Sequence, residues 1–400
     1  MKEPIYITGA GIVSAIGLNK AEVLDSLRQH RTGIGPLQYL QSEHTELPVG
    51  EVKLSNEKMK SILKISESIP PTRTSLMGIM ALNEALNEAG IVPSSTQCIG
   101  FVSGTTVGGM DMTEQHYLDF FEKNDFDHFI TSHDCGACTQ TIADYFGHFS
   151  YITSISTACS SAANAIILGA ELIESGELDI VIVGGSESLT KYHLNGFNTL
   201  MILDHEQCRP FDATRSGLNL GEGAAYLILE KASSAKHRKA KAIGRLSGYG
   251  NACDAFHQTA SSQNGEGAFR AMNKALQSAG LQTNDIQYIN AHGTGTTNND
   301  MSESIAIKRL FGDILPPISS TKSYTGHTTS ASGSIEAVIC LLAMIYQFLP
   351  TNLNWKYPMP EGIVPNMNDY SNTELKHVLC NSFGFGGNDS SLLLSKPVNG

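Results

Sequence analysis

The chain is poor in positive charge: 27 Lys and Arg stand against 39 Asp and Glu, a formal net charge of -12 over 400 residues. A surface built to neutralise phosphates needs the opposite excess, so nucleic acid is not expected as a partner. No apolar run reads as a membrane span. The first residues, Met-Lys-Glu-Pro, lack the pattern of basic, apolar and small residues that marks a signal peptide, so export is not expected. The close pair Cys135-Gly-Ala-Cys138 has no second pair to complete a four-ligand zinc site, and the remaining cysteines are scattered. The thiols therefore read as reduced, in a cytoplasmic protein. No low-complexity linker divides the chain. What is present, 41% hydrophobic and 16% charged residues, suits a globular enzyme with two lobes and a sizeable core.

Strand-like runs at 4–8, 98–103, 151–156 and 179–183 alternate with helical stretches at 20–28, 74–89 and 162–175, the rhythm of a layered α/β domain. A second set begins near residue 242, with helices at 267–279, 301–311 and 334–347 and strands at 286–290 and 317–321. In both sets a strand passes through a Gly- and Ser/Thr-rich turn into an apolar helix, which hints at an internal duplication. The basic stretch 231–241 is the expected crossing between the sets, giving halves 1–236 and 237–400. Gly9-Ala-Gly11-Ile-Val-Ser14 imitates the start of a dinucleotide fold. Ser14 replaces its third glycine and the acidic residue about twenty positions on is missing, so nucleotide binding is a weak reading.

Cys159 stands between the β-rich run Tyr151-Ile-Thr-Ser-Ile-Ser-Thr157 and a small-residue helix that opens Ser160-Ser-Ala-Ala. A thiol in the first turn of a helix meets unpaired N–H groups and the positive end of the dipole, which favour thiolate. The setting resembles in logic the nucleophile elbow of serine hydrolases. Two histidines follow strands in similar turns, His292-Gly-Thr-Gly-Thr and Lys322-Ser-Tyr-Thr-Gly-His327. A third turn, Asn381-Ser-Phe-Gly-Phe-Gly-Gly-Asn388, has glycines that let backbone N–H groups aim at an oxyanion. A cysteine, two histidines and an oxyanion loop together point to acyl transfer.

The blocks Ser156-Thr-Ala-Cys-Ser-Ser161, Asn290-Ala-His-Gly-Thr-Gly-Thr296, Ser320-Thr-Lys-Ser-Tyr-Thr-Gly-His327 and Asn381-Ser-Phe-Gly-Phe-Gly-Gly387 occur in the order seen in β-ketoacyl-acyl-carrier-protein synthases, and the chain resembles their elongating, type II branch. The resemblance covers nearly the whole chain and implies a thiolase-like, five-layered αβαβα fold of two duplicated halves. It implies that Cys159 takes an acyl chain as a thioester and that His292 and His327 activate decarboxylation of a malonyl-carrier. Lys322 then supports a neutral His327, Glu303 and Asp300 belong to a supporting network, and the N–H groups of Cys159 and Phe385 hold the oxyanion. Phe385 falls at the family's gating position, Val107 at the acyl pocket wall, and Phe383 is expected in the plain core. The implied partners are an acyl carrier protein, acyl and malonyl thioesters, and a second subunit, identical or a chain-length partner. No metal or resident cofactor is implied, the phosphopantetheine arm being part of the substrate.

An acidic carrier would need local basic residues on this acidic chain, and Lys58, Lys60, Lys64, Arg73 and Arg209 are the candidates. Several places depart from the family pattern. Loop 198–208 is shorter than expected and lacks the usual arginine, and Thr297 stands where proline is common. Thr328-Thr-Ser-Ala-Ser332 is unusually polar, and Asn388-Asp389 replaces Thr-Asn. Housekeeping fatty-acid elongation and specialised polyene, aryl-polyene or other polyketide elongation both remain open. A non-catalytic chain-length partner would be expected to lack Cys159. A thiolase would use a second cysteine such as Cys380 as base.

Overall fold

A computed structural model of the chain describes residues 3–65, 71–94, 98–123, 132–368 and 373–397. Its strands are β1 (Ile5–Ser14), β2 (Ile99–Gly104), β3 (Tyr151–Ile155), β4 (Ile180–Glu187), β5 (Gly223–Lys231), β6 (Gly244–Cys253), β7 (Tyr288–Asn290), β8 (Ile318–Ser319), β9 (His377–Gly384) and β10 (Asn388–Ser395). They form one ten-stranded sheet in the order β3-β2-β4-β5-β1-β6-β10-β9-β7-β8. Read from its outer edge inward, the first half runs 3-2-4-5-1. The second half, read the same way, runs 8-7-9-10-6, which is the same permutation of its own strands. Pairing senses repeat as well: β2 is parallel to β3 and β4, as β7 is to β8 and β9, while β5 and β10 run antiparallel to their neighbours. The duplication hinted at by the turns is thus visible in the topology.

The halves meet where Ile5, Tyr6 and Ile7 pair with Leu246, Arg245 and Gly244. Alternate residues along each strand feed different cores, as a period-2 strand buried on both faces requires. Val181 and Val183 face the central core with the helices Ser161–Glu174 and Ser332–Tyr346, whereas Ile180 and Ile182 face an outer core beneath the helix Arg73–Ala89. In the second half Leu392 and Leu394 face the centre, and Leu393 faces the helix Glu266–Ala279. Both halves of the continuous sheet turn one face to the same central helices, which gives the five layers: helices, half-sheet, helices, half-sheet, helices. Among the described residues Thr329–Tyr346 is long and apolar enough to cross a membrane, and it is 89% buried as the central layer.

The imitation of a dinucleotide motif has a packing explanation. A Cβ on Gly9 would strike the Ala85 carbonyl, and one on Gly11 the Ala81 carbonyl, both on the Arg73–Ala89 helix. The second half repeats the device, with Gly248 and Gly250 against Ala275 and Ala271. These glycines bring helix backbone onto strand, which accounts for the motif by packing alone. Several strands exceed their sequence signal, β1 reaching Ser14 and β4 Glu187, and β5 and β6 had no reading at all. The basic stretch at 231–241 holds the short helix Ala232–His237, and Arg238 pairs with buried Glu230 at 2.7 Å.

Candidate active site

Cys159 and His327 occupy equivalent turns of the two halves, after β3 and after β8, and the pseudo-symmetry brings them face to face. Leaving β3, the chain passes through Ala158 with φ of 52°, a left-handed conformation that costs a non-glycine residue about 1–2 kcal/mol. Ser161 holds the turn, accepting from the Thr157 N–H at 2.9 Å and donating to the Ala158 carbonyl at 2.6 Å. Ser160 is the N-cap, so Cys159 lies just ahead of the helix rather than in its first turn. Its Sγ stands 3.1 Å from Nε2 of His327, a residue whose backbone N–H donates to the Asn219 carbonyl at 2.7 Å.

His292 follows β7 and is fixed from the helix Thr297–Phe311. Glu303 accepts from the N–H groups of His292 and Gly293 at 2.9 and 2.8 Å and from the Asn381 amide at 3.1 Å. One turn earlier, Asp300 accepts from the N–H groups of Phe211 and Gly295. Both carboxylates therefore brace the backbone around His292, where a supporting network was expected. The two imidazoles stand edge to face, 5.3 Å apart at 84°.

Lys322 departs from expectation in its neighbour. Its Nζ lies 3.3 Å from Nδ1 of His292, not beside His327, and 2.5 Å from Oε1 of Glu336. An ammonium only donates, so Nδ1 of His292 accepts and its Nε2 carries the proton. Burial, followed by the Lys322 charge, pushes both histidines well below the usual imidazole value, so both are neutral. Burial also pushes the Cys159 thiol up to about 11, against the opposing pull of the Phe385 N–H, Lys322 and its own N–H. This corrects the expectation of a favoured thiolate: the helix end is present, but complete desolvation outweighs it. Glu303 and Glu336 are likewise raised, each to about 7, by burial.

A cavity of about 240 Å³ opens on this cluster, with Cys159, His292, His327, Phe197, Phe383 and Phe385 among its walls. Phe385 lies in the glycine loop, where Gly386 and Gly387 take φ of 81° and 75°, and its ring stacks on Phe197 at 5.7 Å. Phe197, on the helix Lys191–Thr199, carries no motif that marks it in the sequence. Phe383 is more than core: it lines the cavity with its ring 5.8 Å from that of His292. Val107 is not brought into this wall; it is buried, with its N–H donating to Glu187 at 2.9 Å. A further neighbour that the sequence reading did not single out is Ser332, whose Oγ lies 3.1 Å from Nδ1 of His327.

The basic candidates do not assemble at the cavity. Lys58 and Lys60 lie on the helix Asn56–Leu63 and Lys64 caps it, and none of the three lines the cavity. Arg73 is excluded as a docking residue because it is buried and bound to Glu222 at 2.6 Å. Arg209 is engaged by Glu206 at 2.6 Å and Asp204 at 3.5 Å. From the shortened loop, Leu200 and Ile202 line the cavity and Met201 beside them is 87% exposed. Cys380, the base a thiolase would need, is buried beside Cys340 and lies outside the cavity wall. Among the described residues no group of three or more His, Cys, Asp or Glu is placed to hold a metal ion.

Comparison with known proteins places this geometry in a family. Residues 2–235 match the family described as beta-ketoacyl synthase, N-terminal domain, and residues 243–356 match beta-ketoacyl synthase, C-terminal domain. The chain is 33% identical to 3-oxoacyl-[acyl-carrier-protein] synthase 2 of Synechocystis, over 99% of this chain and 98% of that one. Among solved structures, the ishigamide ketosynthase/chain length factor matches with a TM-score of 0.90 at 28% identity, covering 100% of both chains. The ketosynthase ApeO in complex with its chain length factor ApeC from Xenorhabdus doucetiae matches with a TM-score of 0.84 at 31% identity, covering 99% of this chain and 98% of that one. The chain belongs to the β-ketoacyl synthase family, with the thiolase-like fold that its duplicated halves display.

Proposed function

We propose that this protein catalyses the decarboxylative Claisen condensation of a Cys159-bound acyl group with a malonyl-carrier, giving a β-ketoacyl-carrier, carbon dioxide and free carrier. The observation that carries the reading is the 3.1 Å contact between Cys159 Sγ and His327, with a neutral His292 beside it. In the first half-reaction the Cys159 sulfur attacks the acyl-carrier thioester while the N–H groups of Cys159 and Phe385 receive the oxyanion; collapse of the intermediate breaks the carrier's carbon–sulfur bond, and the proton given up by Cys159 ends on the departing carrier thiol. In the second, malonyl carbon dioxide leaves, and its electron pair is held as an enolate by hydrogen bonds from His292 and His327 to the thioester oxygen. The enolate carbon then attacks the Cys159 thioester and expels the sulfur. Neutral imidazoles suit this step, because it needs hydrogen-bond donors and no strong base. Lys322 holds the donor face of His292, Glu303 and Asp300 hold its turn, and Phe385 with Phe197 gates the cavity. The carrier's phosphopantetheine arm is the only prosthetic group in this reading, as part of the substrate. The free cysteines suit a reducing compartment, and a cytoplasmic location belongs to the same proposal.

A partner-dependent form is favoured by one observation. Two of the matching structures are of a ketosynthase with a chain length factor, and strand β3 here is a sheet edge whose five residues are all half-buried. Intact-protein mass spectrometry of the wild type and Cys159→Ala, given saturated, polyunsaturated and aryl-primed acyl-carriers and then malonyl-carrier, tests the reading. Acylation of the wild type alone, followed by a carrier product two carbons longer, is expected. The accepted chain class separates fatty-acid from polyketide elongation. Condensation that survives in Cys159→Ala would sink the proposal, and acylation that appears only after a second subunit is added would establish the partner-dependent form.

A further inference from the structure

The two histidines beside Cys159 have different groups behind them. Nδ1 of His292 faces an ammonium, which fixes that ring with its proton on Nε2. Nδ1 of His327 faces the hydroxyl of Ser332 at 3.1 Å, and a hydroxyl can give or take a hydrogen. Its other neighbour is a second hydroxyl, Thr328 Oγ1, at 3.2 Å, and all three residues are buried. Thr328 can therefore donate to Ser332 and leave the Ser332 hydrogen for the imidazole. The Ser332 backbone is itself fixed, at the start of the helix Ser332–Tyr346 with its N–H on the Thr329 carbonyl. Both hydroxyls come from the polar run Thr328-Thr-Ser-Ala-Ser332.

We propose that Ser332, backed by Thr328, donates to Nδ1 of His327 and holds that ring as the Nε2–H tautomer, aimed at Cys159 and at the thioester carbonyl. The inference rests on the condensation reading and assigns Ser332 as a positioning residue, acting through His327 and touching no substrate atom. It makes the two imidazoles alike in what they offer the enolate, one set by a charge and the other by a hydroxyl pair.

The test combines 15N spectra of histidine-labelled enzyme with carbon dioxide release from malonyl-carrier after Cys159 has been acylated. Wild-type His327 is expected to show an unprotonated Nδ1, with His292 as the internal control. Ser332→Ala is expected to mix the His327 tautomers and slow release about tenfold, whereas Ser332→Thr, which keeps the hydroxyl, stays within about threefold of wild type. Continued Cys159 acylation in Ser332→Ala shows that the cavity is still assembled. A wild-type proton on Nδ1 of His327 overturns the inference, as does a Ser332→Ala enzyme with unchanged tautomer and release. A Ser332→Ala chain that does not fold leaves the wild-type spectrum and the threonine variant to decide. A wild type that releases no carbon dioxide counts against the condensation reading, while its His327 spectrum still decides the role of Ser332.

Discussion

At Cys159 two electrostatic effects oppose each other. Donors converge on the sulfur, yet burial leaves its thiol at about 11. A thiol titrating so high has a thiolate fraction that keeps rising through the neutral range. Alkylation of Cys159 by iodoacetamide, followed by mass spectrometry, is thus expected to quicken about tenfold per pH unit between about pH 7 and 9. A plateau already reached by about pH 7 would show that the helix end and the donors win. Lys322 and Glu336 present the reverse case, a buried pair in which each needs the other. Lys322→Met removes the ammonium from a carboxyl already raised to about 7, and breaking such a pair costs about 3 kcal/mol or more when the remaining group stays charged. A folded-state carboxyl pKa above the unfolded value means that stability falls as pH rises toward and through it. The variant should therefore be less stable in urea at about pH 8 than at about pH 6, and Lys322→Met with Glu336→Gln should recover stability without recovering condensation.

Elements show where the sequence was readable and where it was not. Strand-turn-helix units were legible because period-2 apolar runs and Gly/Ser/Thr turns are local signals, and Cys159, His292 and His327 stood in three of them. Partner choice was not legible, because it depends on residues that only the fold brings together. Arg73 looked like a surface cation and instead meets Glu222, 149 residues away, in the interior. Lys322 sits in the same turn as His327 yet reaches across to His292, and Phe383 looked apolar enough for the core but stands near the end of β9 beside the His292 imidazole. Gly9 and Gly11 were misleading in another way, since the spacing that suits a phosphate also suits a helix laid on a strand. Gly9→Ala and Gly250→Ala are each expected to lower the unfolding free energy by about 1–3 kcal/mol, because the added methyl meets helix backbone rather than a movable side chain. Chemical denaturation checks this, and similar losses in both variants would show that the two halves use the same contact.

Over the whole molecule, the acidic composition and the reactive centre obey separate demands. Much of the acidic excess behind the net charge of -12 is interior: Glu51, Asp111, Glu187, Asp204, Asp212, Glu222, Glu230, Asp300, Glu303, Glu336 and Asp389 are buried, against buried Arg73 and Lys322, while the cavity wall carries neutral imidazoles and aromatic rings. The -12 was legible from composition; a carrier-docking patch was not, because among the described residues no Lys or Arg lines the cavity. The sheet connects its halves through three residue pairs at Ile5–Ile7, and the central helices pack across that join. Cys159 belongs to one side of the join and both histidines to the other. The 3.1 Å separation of Sγ and Nε2 is therefore a gauge of how the two halves are seated. Neither half has a chemistry to keep by itself, and any mutation far away that tilts one against the other will be read first as lost turnover, before the protein has come close to unfolding.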